Sequence, residues 1–456
     1  MKSTKKDTTV VTIRTGAATK PSAKAVMTAK GFRSYVAAFY GKLRGGESRW
    51  APVVLCLIPI CVVFQTLNSN FLSPRNLSNI GVDMAGPGLI ATGLIFVLLV
   101  GEIDLSIGAV SGLAAAVFAL LAVNHGLPEW LAVITAVLTG AATGAVHGFF
   151  FARIGVSSFA VTLAGLLGWN GLMVYLLDGT GSITLDAGGL VGRLTRTYVD
   201  GAAAYGLAGL GVAVYFLASW KYEQHYKASG MLSRSLSGIG IRAGVLAVVA
   251  FGAVIVLNRF QGLPLALLIF LAVVAGLDFV LYRATYGRKV LALGGGAEAA
   301  GRFGLNVAAV RISVFILSGA MAAIGGLFIA SRITSVSQAS GGGSLVVDVI
   351  AAAVIGGTSL FGGYGTPWSG VLGMLVIQSI ASGVALLGIQ ASVQLMITGG
   401  VLLAAVVMDS LFRRYRQLHG RALWSGRSPL SSPGRSGARD LTSIVREVRQ
   451  LVTDPL

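Results

Sequence analysis

The chain has 456 residues, of which 55% are hydrophobic and only 11% charged, and its mean hydropathy is +0.80. A soluble domain carries roughly 25% charged residues, so this chain lacks the polar surface that a water-soluble fold needs. Its net charge of +18 does not point to nucleic acid, because the excess sits in the first 49 residues and after Phe412 rather than on a folded basic face.

Residues 1–49 are basic and rich in Ser, Thr and Ala, and read as a cytoplasmic N-terminal extension. No cleavable signal is expected there, since the first apolar run is a full span rather than a short h-region. Within the extension, Val26, Phe32, Tyr35, Val36, Phe39, Tyr40 and Leu43 recur near helical spacing among Lys and Arg. That pattern fits either a helix lying on a membrane surface or a solvated basic tail.

Apolar runs follow at 52–68, 85–101, 103–123, 130–152, 157–177, 203–219, 242–257, 263–281, 311–331, 346–361, 367–388 and 391–409. A helix of ~20 residues crosses the hydrocarbon, so each is a candidate span. The predicted fold is therefore all-α: a polytopic membrane bundle of about 12 helices, with 10 to 14 as the range. The membrane domain is expected over 50–412, with 282–310 as its longest loop and 413–456 as a polar cytoplasmic tail. The tail closes on a short amphipathic stretch, Leu441, Ile444, Val445, Val448 and Leu451. The 63 glycines suit a bundle in which helices approach closely.

Charge orients the spans. Alternate loops hold Arg153, then Lys221, Lys227, Arg234 and Arg242, then Arg283, Arg288, Lys289, Arg302 and Arg311. The loops between them are poorer: 124–129 has no Lys or Arg, and Asp178, Asp186 and Asp200 offset Arg193 and Arg196 in 178–200. By the positive-inside rule, both termini are expected in the cytoplasm and the span count is expected to be even. Cys56 and Cys61 lie inside the first run and imply neither a disulfide nor a metal. The histidines His125, His147, His225 and His419 are scattered and form no ligand pair.

Three segments interrupt the apolar pattern. In Gly101-Glu102-Ile103-Asp104-Leu105-Ser106-Ile107-Gly108, two carboxylates sit between two apolar runs. A charge at membrane depth costs roughly 2.5–3.5 kcal/mol, so each needs a partner, water or a function. Asp104 or Ser106 is expected to cap a helix starting at Ile107, or else Glu102, Asp104 and Ser106 lie on a solute path. The second segment, Gly356-Gly357-Thr358-Ser359-Leu360-Phe361-Gly362-Gly363, breaks another apolar run, and its glycines serve either close packing or gating. The two breaks look alike, as do Gly155–Asp178 and Gly388–Asp409. They suggest an internal two-fold repeat, parallel or inverted. The third segment is the 282–310 loop, whose Glu298-Ala299-Ala300 followed by Gly304 predicts a short helix with a stop.

Taken together, these segments resemble the permease subunits of ribose/xylose-type ABC sugar importers. The resemblance rests on Gly-Glu-Ile-Asp-Leu-Ser-Ile-Gly at 101–108, Ser-Phe-Ala-Val-Thr-Leu-Ala-Gly at 158–165, the Gly-Gly…Glu-Ala-Ala…Gly-Leu-Asn-Val loop at 294–307, and Ile-Gly-Gly-Thr-Ser-Leu at 355–360. It covers roughly residues 70–412. The extra segment at about 200–262 resembles the xylose-type members. Gly296, Gly301 and Ser157 depart from the family's usual Asn, Arg and Pro.

The resemblance implies a transport subunit rather than an enzyme, in the bacterial inner membrane, acting as a homodimer. A periplasmic binding protein would deliver a monosaccharide, in this branch a pentose such as xylose. A separate ATPase would bind ATP and Mg²⁺ and grip Glu298, Ala299, Ala300 and Gly304. No Walker A motif is present in this chain, and no cofactor is expected in it. A neutral sugar needs a wet path lined by hydrogen-bonding groups. Ser157, Ser158, Thr162, Trp169 and Asn170 are the expected lining, with Glu102, Asp104, Ser106, Gly356, Gly357 and Thr358 as path or gate candidates. The alternative is an ion- or proton-coupled secondary transporter using Glu102 and Asp104. A membrane-embedded enzyme lacks any nucleophile–base pair in the sequence.

Overall fold

The computed structural model describes residues 51–228, 236–390, 392–404 and 406–407. The expected surface helix at Val26–Leu43 and the tail beyond 412 lie outside them. Helices account for almost all of the regular structure. They are α1 (Ala51–Leu67), α2 (Pro74–Asp83), α3 (Ala85–Leu99), α4 (Ile107–Ala119), α5 (Glu129–Phe149), α6 (Ser158–Leu176), α7 (Leu190–Arg193), α8 (Gly201–Ala228), α9 (Leu236–Leu257), α10 (Leu265–Arg283), α11 (Thr285–Gly295), α12 (Ala297–Arg302), α13 (Val307–Ile333), α14 (Leu345–Ile355) and α15 (Pro367–Leu386). A last apolar helix, α16, spans Ser392–Ala404. Both α4 and α5 end in a single π-helical turn, at Leu120–Asn124 and Phe150–Ile154.

Eight of these helices are long and apolar enough to cross a membrane, and α2 with α3, bent by 42°, make a ninth. Three shorter apolar helices, in α1, α14 and α16, fall where further spans were expected. The protein is thus a polytopic helical bundle, but length and composition alone do not bring the count to 12. One reason is local. Gly357 takes φ +96° and stops α14 at Ile355, so the run expected at 346–361 is only 11 residues of helix.

The core is a packing of α3, α4 and α5 around α13. α3 is buried on nearly every side: residues from Leu89 to Leu99 are almost without exposure, including its one hydroxyl, Thr92. Thr92 satisfies that hydroxyl by donating to the Gly88 carbonyl at 2.7 Å. α5 meets α13 through glycine. A Cβ built on Gly144 would lie 2.7 Å from the Phe315 carbonyl carbon and 3.0 Å from Ile316 Cα. Here the backbones themselves are in contact, which is how membrane helices gain packing where no hydrophobic drive exists between them. Outside the core, α8 and α9 pack chiefly on each other and expose most of their apolar side chains. They form the extra segment noted in the sequence.

Two short antiparallel pairings, Ser182–Thr184 with Ser335–Ser337 and Tyr198–Val199 with Leu263–Pro264, tie loops together at one end of the bundle. α11 and α12 lie at the other end.

Candidate functional site

The two glycine breaks are built alike. At the end of α3, Gly101 takes φ +83°, its N–H donates to the Leu98 carbonyl, and the Glu102 N–H donates to the Val97 carbonyl. At the end of α14, Gly357 repeats the arrangement with Val354, and Thr358 with Ala353. Each is a Schellman stop, which needs a left-handed residue and so favours glycine. Each turn beyond the stop is then closed by a side chain. Asp104 Oδ1 accepts from the Ser106 N–H at 2.9 Å, and Ser359 Oγ accepts from the Phe361 N–H at 3.1 Å.

The breaks also touch. The Gly363 N–H donates to the Leu99 carbonyl at 3.1 Å, and Gly101 lies against the Phe361 carbonyl. Gly294, the penultimate residue of α11, sits on that same Leu99 carbonyl and beside Gly363. The three segments singled out in the sequence therefore meet at one junction, at the α11–α12 end of the bundle. The C-terminal ends of α3 and α14 arrive there together, so the two breaks run in the parallel sense.

Glu102 and Asp104 occupy different surroundings. Glu102 is partly exposed. Its Oε2 accepts from Ser158 Oγ at 2.7 Å, and its Oε1 lies 3.3 Å from Arg311 Nη2. The Arg311 guanidinium lies 4.5 Å from the centroid of the Phe151 ring, a cation–π placement. Asp104 is fully enclosed. Its Oδ1 also accepts from Ser106 Oγ at 2.6 Å, and its Oδ2 accepts from Ser318 Oγ of α13 at 3.5 Å. Ser106 Oγ lies 3.3 Å from His147 Nδ1, and Trp169 Nε1 donates to His147 Nε2 at 2.8 Å.

The direction of this chain follows from its ends. An indole N–H can only donate, so His147 Nε2 must be the unprotonated nitrogen. The ring then carries its proton on Nδ1 and gives it to Ser106 Oγ, whose own proton goes to Asp104. The line Trp169→His147→Ser106→Asp104 thus ties α6 and α5 to the break through donors that are all used.

The predicted cap at α4 takes a different form. Ser106 stands at the N-cap but its side chain bonds no helical N–H: its Oγ instead donates to Asp104 and accepts from His147 Nδ1. Among the expected path residues, Ser158, Thr162 and Trp169 face inward: Ser158 holds Glu102, Thr162 Oγ1 reaches the Ile103 carbonyl at 3.4 Å, and Trp169 holds His147. Ser157 and Asn170 are exposed. Gly356 packs on the Ser369 backbone, and Thr358 is buried with its hydroxyl unpartnered.

At the junction's outer edge, Glu298 pairs with Arg302 at 2.7 Å, both largely in solvent. Ala299 is exposed and Ala300 buried, and Gly304 takes φ +81° to stop α12. Phe303, between them, is 91% exposed. The sequence reading missed His147, Ser318, Arg311 as a partner of Glu102, and Phe303. Only Phe303 left a local signal, an aromatic residue in a polar loop.

At the opposite end, a cavity of about 380 Å³ opens between α3, α4, α13 and the 335–342 loop. It is lined in part by Ser111, Ser340 and Gln378, with the Arg332–Asp83 ion pair (2.7 Å) also on its wall. Among the described residues, no group of three His, Cys, Asp or Glu is placed to hold a metal ion.

The sequence matches the family described as "Branched-chain amino acid transport system / permease component" over residues 76–406. It is similar to the xylose transport system permease protein XylH of Escherichia coli (strain K12), 33% identical over 363 residues, 79% of this chain and 92% of that one. It is also similar to the ribose import permease protein RbsC of Bacillus subtilis (strain 168), 30% identical over 355 residues, 78% and 91% of the two chains. The L-arabinose ABC transporter permease protein AraH of Azospirillum brasilense is 29% identical over 362 residues, 78% and 87%. No solved structure gives a significant match. The chain belongs to this permease family, and within it is a transport subunit of the ribose/xylose-type sugar ABC group.

Proposed function

We propose that this chain is the membrane subunit of an importer that carries a pentose, xylose or a close relative, into the cytoplasm. A periplasmic binding protein delivers the sugar, and ATP and Mg²⁺ are bound and used by a separate ATPase chain. Two copies form the path. Both termini and the α11–α12 loop face the cytoplasm, a reading that the Lys/Arg distribution supports. The bundle then has 12 crossings, with α14 as a short one.

One observation carries this reading. The α12 knob, with Phe303 exposed at its end, is joined by Gly294 to the junction of both helix breaks. An exposed aromatic flanked by an exposed ion pair is the composition of a partner-binding anchor rather than of a free loop. Glu298, Ala299 and Gly304 form the rest of the contact with the ATPase, and the buried Ala300 seats α12 beneath them. Force applied there reaches the breaks directly, and a change of state needs such a differential contact.

The cavity at the other end has the size and the mixed hydroxyl and amide lining that suit a neutral monosaccharide. Xylose as substrate is supported by the similarity to XylH, and by the α8–α9 segment.

The test is uptake of labelled xylose, ribose and arabinose into proteoliposomes holding the chain with its ATPase and binding protein. Xylose uptake that requires ATP and ignores an uncoupler is the expected result. Uptake that survives ATP removal but stops with an uncoupler would return the ion-coupled alternative.

A further inference from the structure

We propose that the Glu102–Arg311 pair is a releasable latch between the α12 knob and the α3–α4 break, while Asp104 is the fixed hinge beside it. The inference rests on the reading that α12 receives force from an ATPase.

Arg311 is mechanically part of the knob. It lies in the first turns of α13, and α13 begins where Asn306, just after α12, caps the helix by accepting the Ala309 N–H at 3.0 Å. A displacement of α12 therefore carries Arg311 with it. Its carboxylate partner is held by a different body: Glu102 belongs to the break, and Ser158, the first residue of α6, binds its other oxygen. One carboxylate thus joins the N-terminal ends of α6 and α13 to the break. The contact spans 209 residues in the chain and is made by side chains alone.

The latch is suited to opening. The two side chains keep 26% and 15% of their exposure, so water reaches both ions when they part. A charge pair at such a rim is far less costly to separate than a dry one. Arg311 also has an unused donor: its Nε is buried and lacks an acceptor in this arrangement. The cation rests on the Phe151 ring, which itself lies tilted against the Phe315 ring, leaving it a surface to move along.

Asp104 has none of these properties. It is buried, and among the described residues no basic side chain hydrogen-bonds to it. Its bonds run to Ser106 and Ser318, and through Ser106 to a histidine that Trp169 keeps neutral. Separating it would strand several buried donors at once. Two carboxylates two residues apart thus perform opposite tasks. Asp104 holds the break to α4, α5 and α13, and Glu102 lets the knob's position be felt there and then released.

The experiment is a charge exchange in the complete complex, with ATPase and binding protein, reconstituted in proteoliposomes. Glu102→Gln and Arg311→Gln are compared with the double variant Glu102→Arg/Arg311→Glu. Three quantities are read: ATPase subunit retained on purification, ATP hydrolysed, and sugar moved per ATP. Each single variant is expected to keep assembly and hydrolysis within about twofold while sugar per ATP falls about tenfold, the size of a typical pair coupling. The exchange is expected to recover most of that loss. If a Gln variant fails to accumulate, Glu102→Asp replaces it, keeping charge but shortening reach, and a smaller loss in the same ratio is expected.

Unchanged sugar per ATP in the single variants would overturn the latch. So would losses of assembly, hydrolysis and uptake in equal proportion that the exchange does not recover. ATP-independent uptake by the unaltered complex would overturn the functional reading, and the latch with it.

Discussion

Replacing Gly144 by alanine tests whether the backbones of α5 and α13 are in contact. The added Cβ would stand 2.7 Å from the Phe315 carbonyl carbon and 3.0 Å from Ile316 Cα. An ordinary carbon–carbon contact is ~3.5–4.0 Å, so the helices would have to separate by at least ~0.8 Å, and the Phe315 carbonyl oxygen lies nearer still. No flexible side chain can absorb that, because both neighbours are main-chain atoms. Overpacking of this kind costs ~1–3 kcal/mol. Against it stands the ~1 kcal/mol by which alanine outperforms glycine inside a helix. Gly168 on α6 supplies the control, since a Cβ there meets nothing within 4 Å. Gly168→Ala is expected to gain the propensity term alone. The two variants should therefore differ by ~1–3 kcal/mol. In detergent, Gly144→Ala should melt roughly 2 °C or more below Gly168→Ala by scanning fluorescence. Because α5 carries His147 and α13 carries both Arg311 and Ser318, uptake should fall with the same variant. Equal melting of the two variants would refute the contact, and with it the rigid α5–α13 frame on which the site depends.

Other outcomes follow from the same geometry. Asp104→Ala leaves buried donors on Ser106 and Ser318 without an acceptor, and at ~1–3 kcal/mol each it should greatly reduce the fraction that survives size-exclusion chromatography. Gly165→Ala puts a methyl 2.9 Å from His147 Cε1 and should disturb the His147–Trp169 bond, seen as a red shift in tryptophan emission relative to Gly168→Ala. Phe303→Ala should lower co-purification of the ATPase subunit severalfold, with a change in stability within the ~0.5 kcal/mol usual for a surface substitution. Burial pushes the Tyr286 phenol above its ordinary value, although the Ser313 hydroxyl donating to it opposes this. A raised phenol favours the neutral form in the folded state, so its contribution is intact below the unfolded pKa and is lost as pH rises through the folded one. Tyr286→Phe should therefore melt less steeply with pH above about 10 than the unaltered protein.

The sequence reading reached the class of fold, the family and the location of the three segments that matter. It did so because hydropathy, Schellman glycines and an N-cap are local properties. Gly101, Gly357 and Gly304 all mark helix stops that can be read within six residues. What it could not reach were pairings at long range. His147 sits in an apolar helix with no polar neighbour to announce it, and only folding brings it between Ser106 and Trp169. Ser158, Thr162 and Trp169 were expected to line a path because they are polar residues in a span. The particular contacts that Ser158 makes to Glu102, Thr162 to the Ile103 carbonyl and Trp169 to His147 appear only in the fold. The short helix α14 is legible as an apolar run but not as a crossing, since Gly357 ends it after 11 residues.

The arrangement explains why two acidic residues persist at an apolar junction. A turn between two spans that is buried against other helices exposes main-chain groups that water does not reach, so it must be closed from within the protein. Glycine closes the carbonyl side at Gly101 and again at Gly357, by the same turn. The N–H side of the α3–α4 break is closed differently, by Asp104, and a carboxylate is better suited there than an amide because it accepts from the Ser106 N–H, Ser106 Oγ and Ser318 Oγ at once. Once that need is met, a second acid in the same turn is free to face a basic residue on another element. Glu102 does so at the rim, where water makes the pairing with Arg311 reversible. A break that only packed would require the first acid but not the second. The presence of both, one dry and one wet, is what separates a junction that must hold from a junction that must hold and also yield.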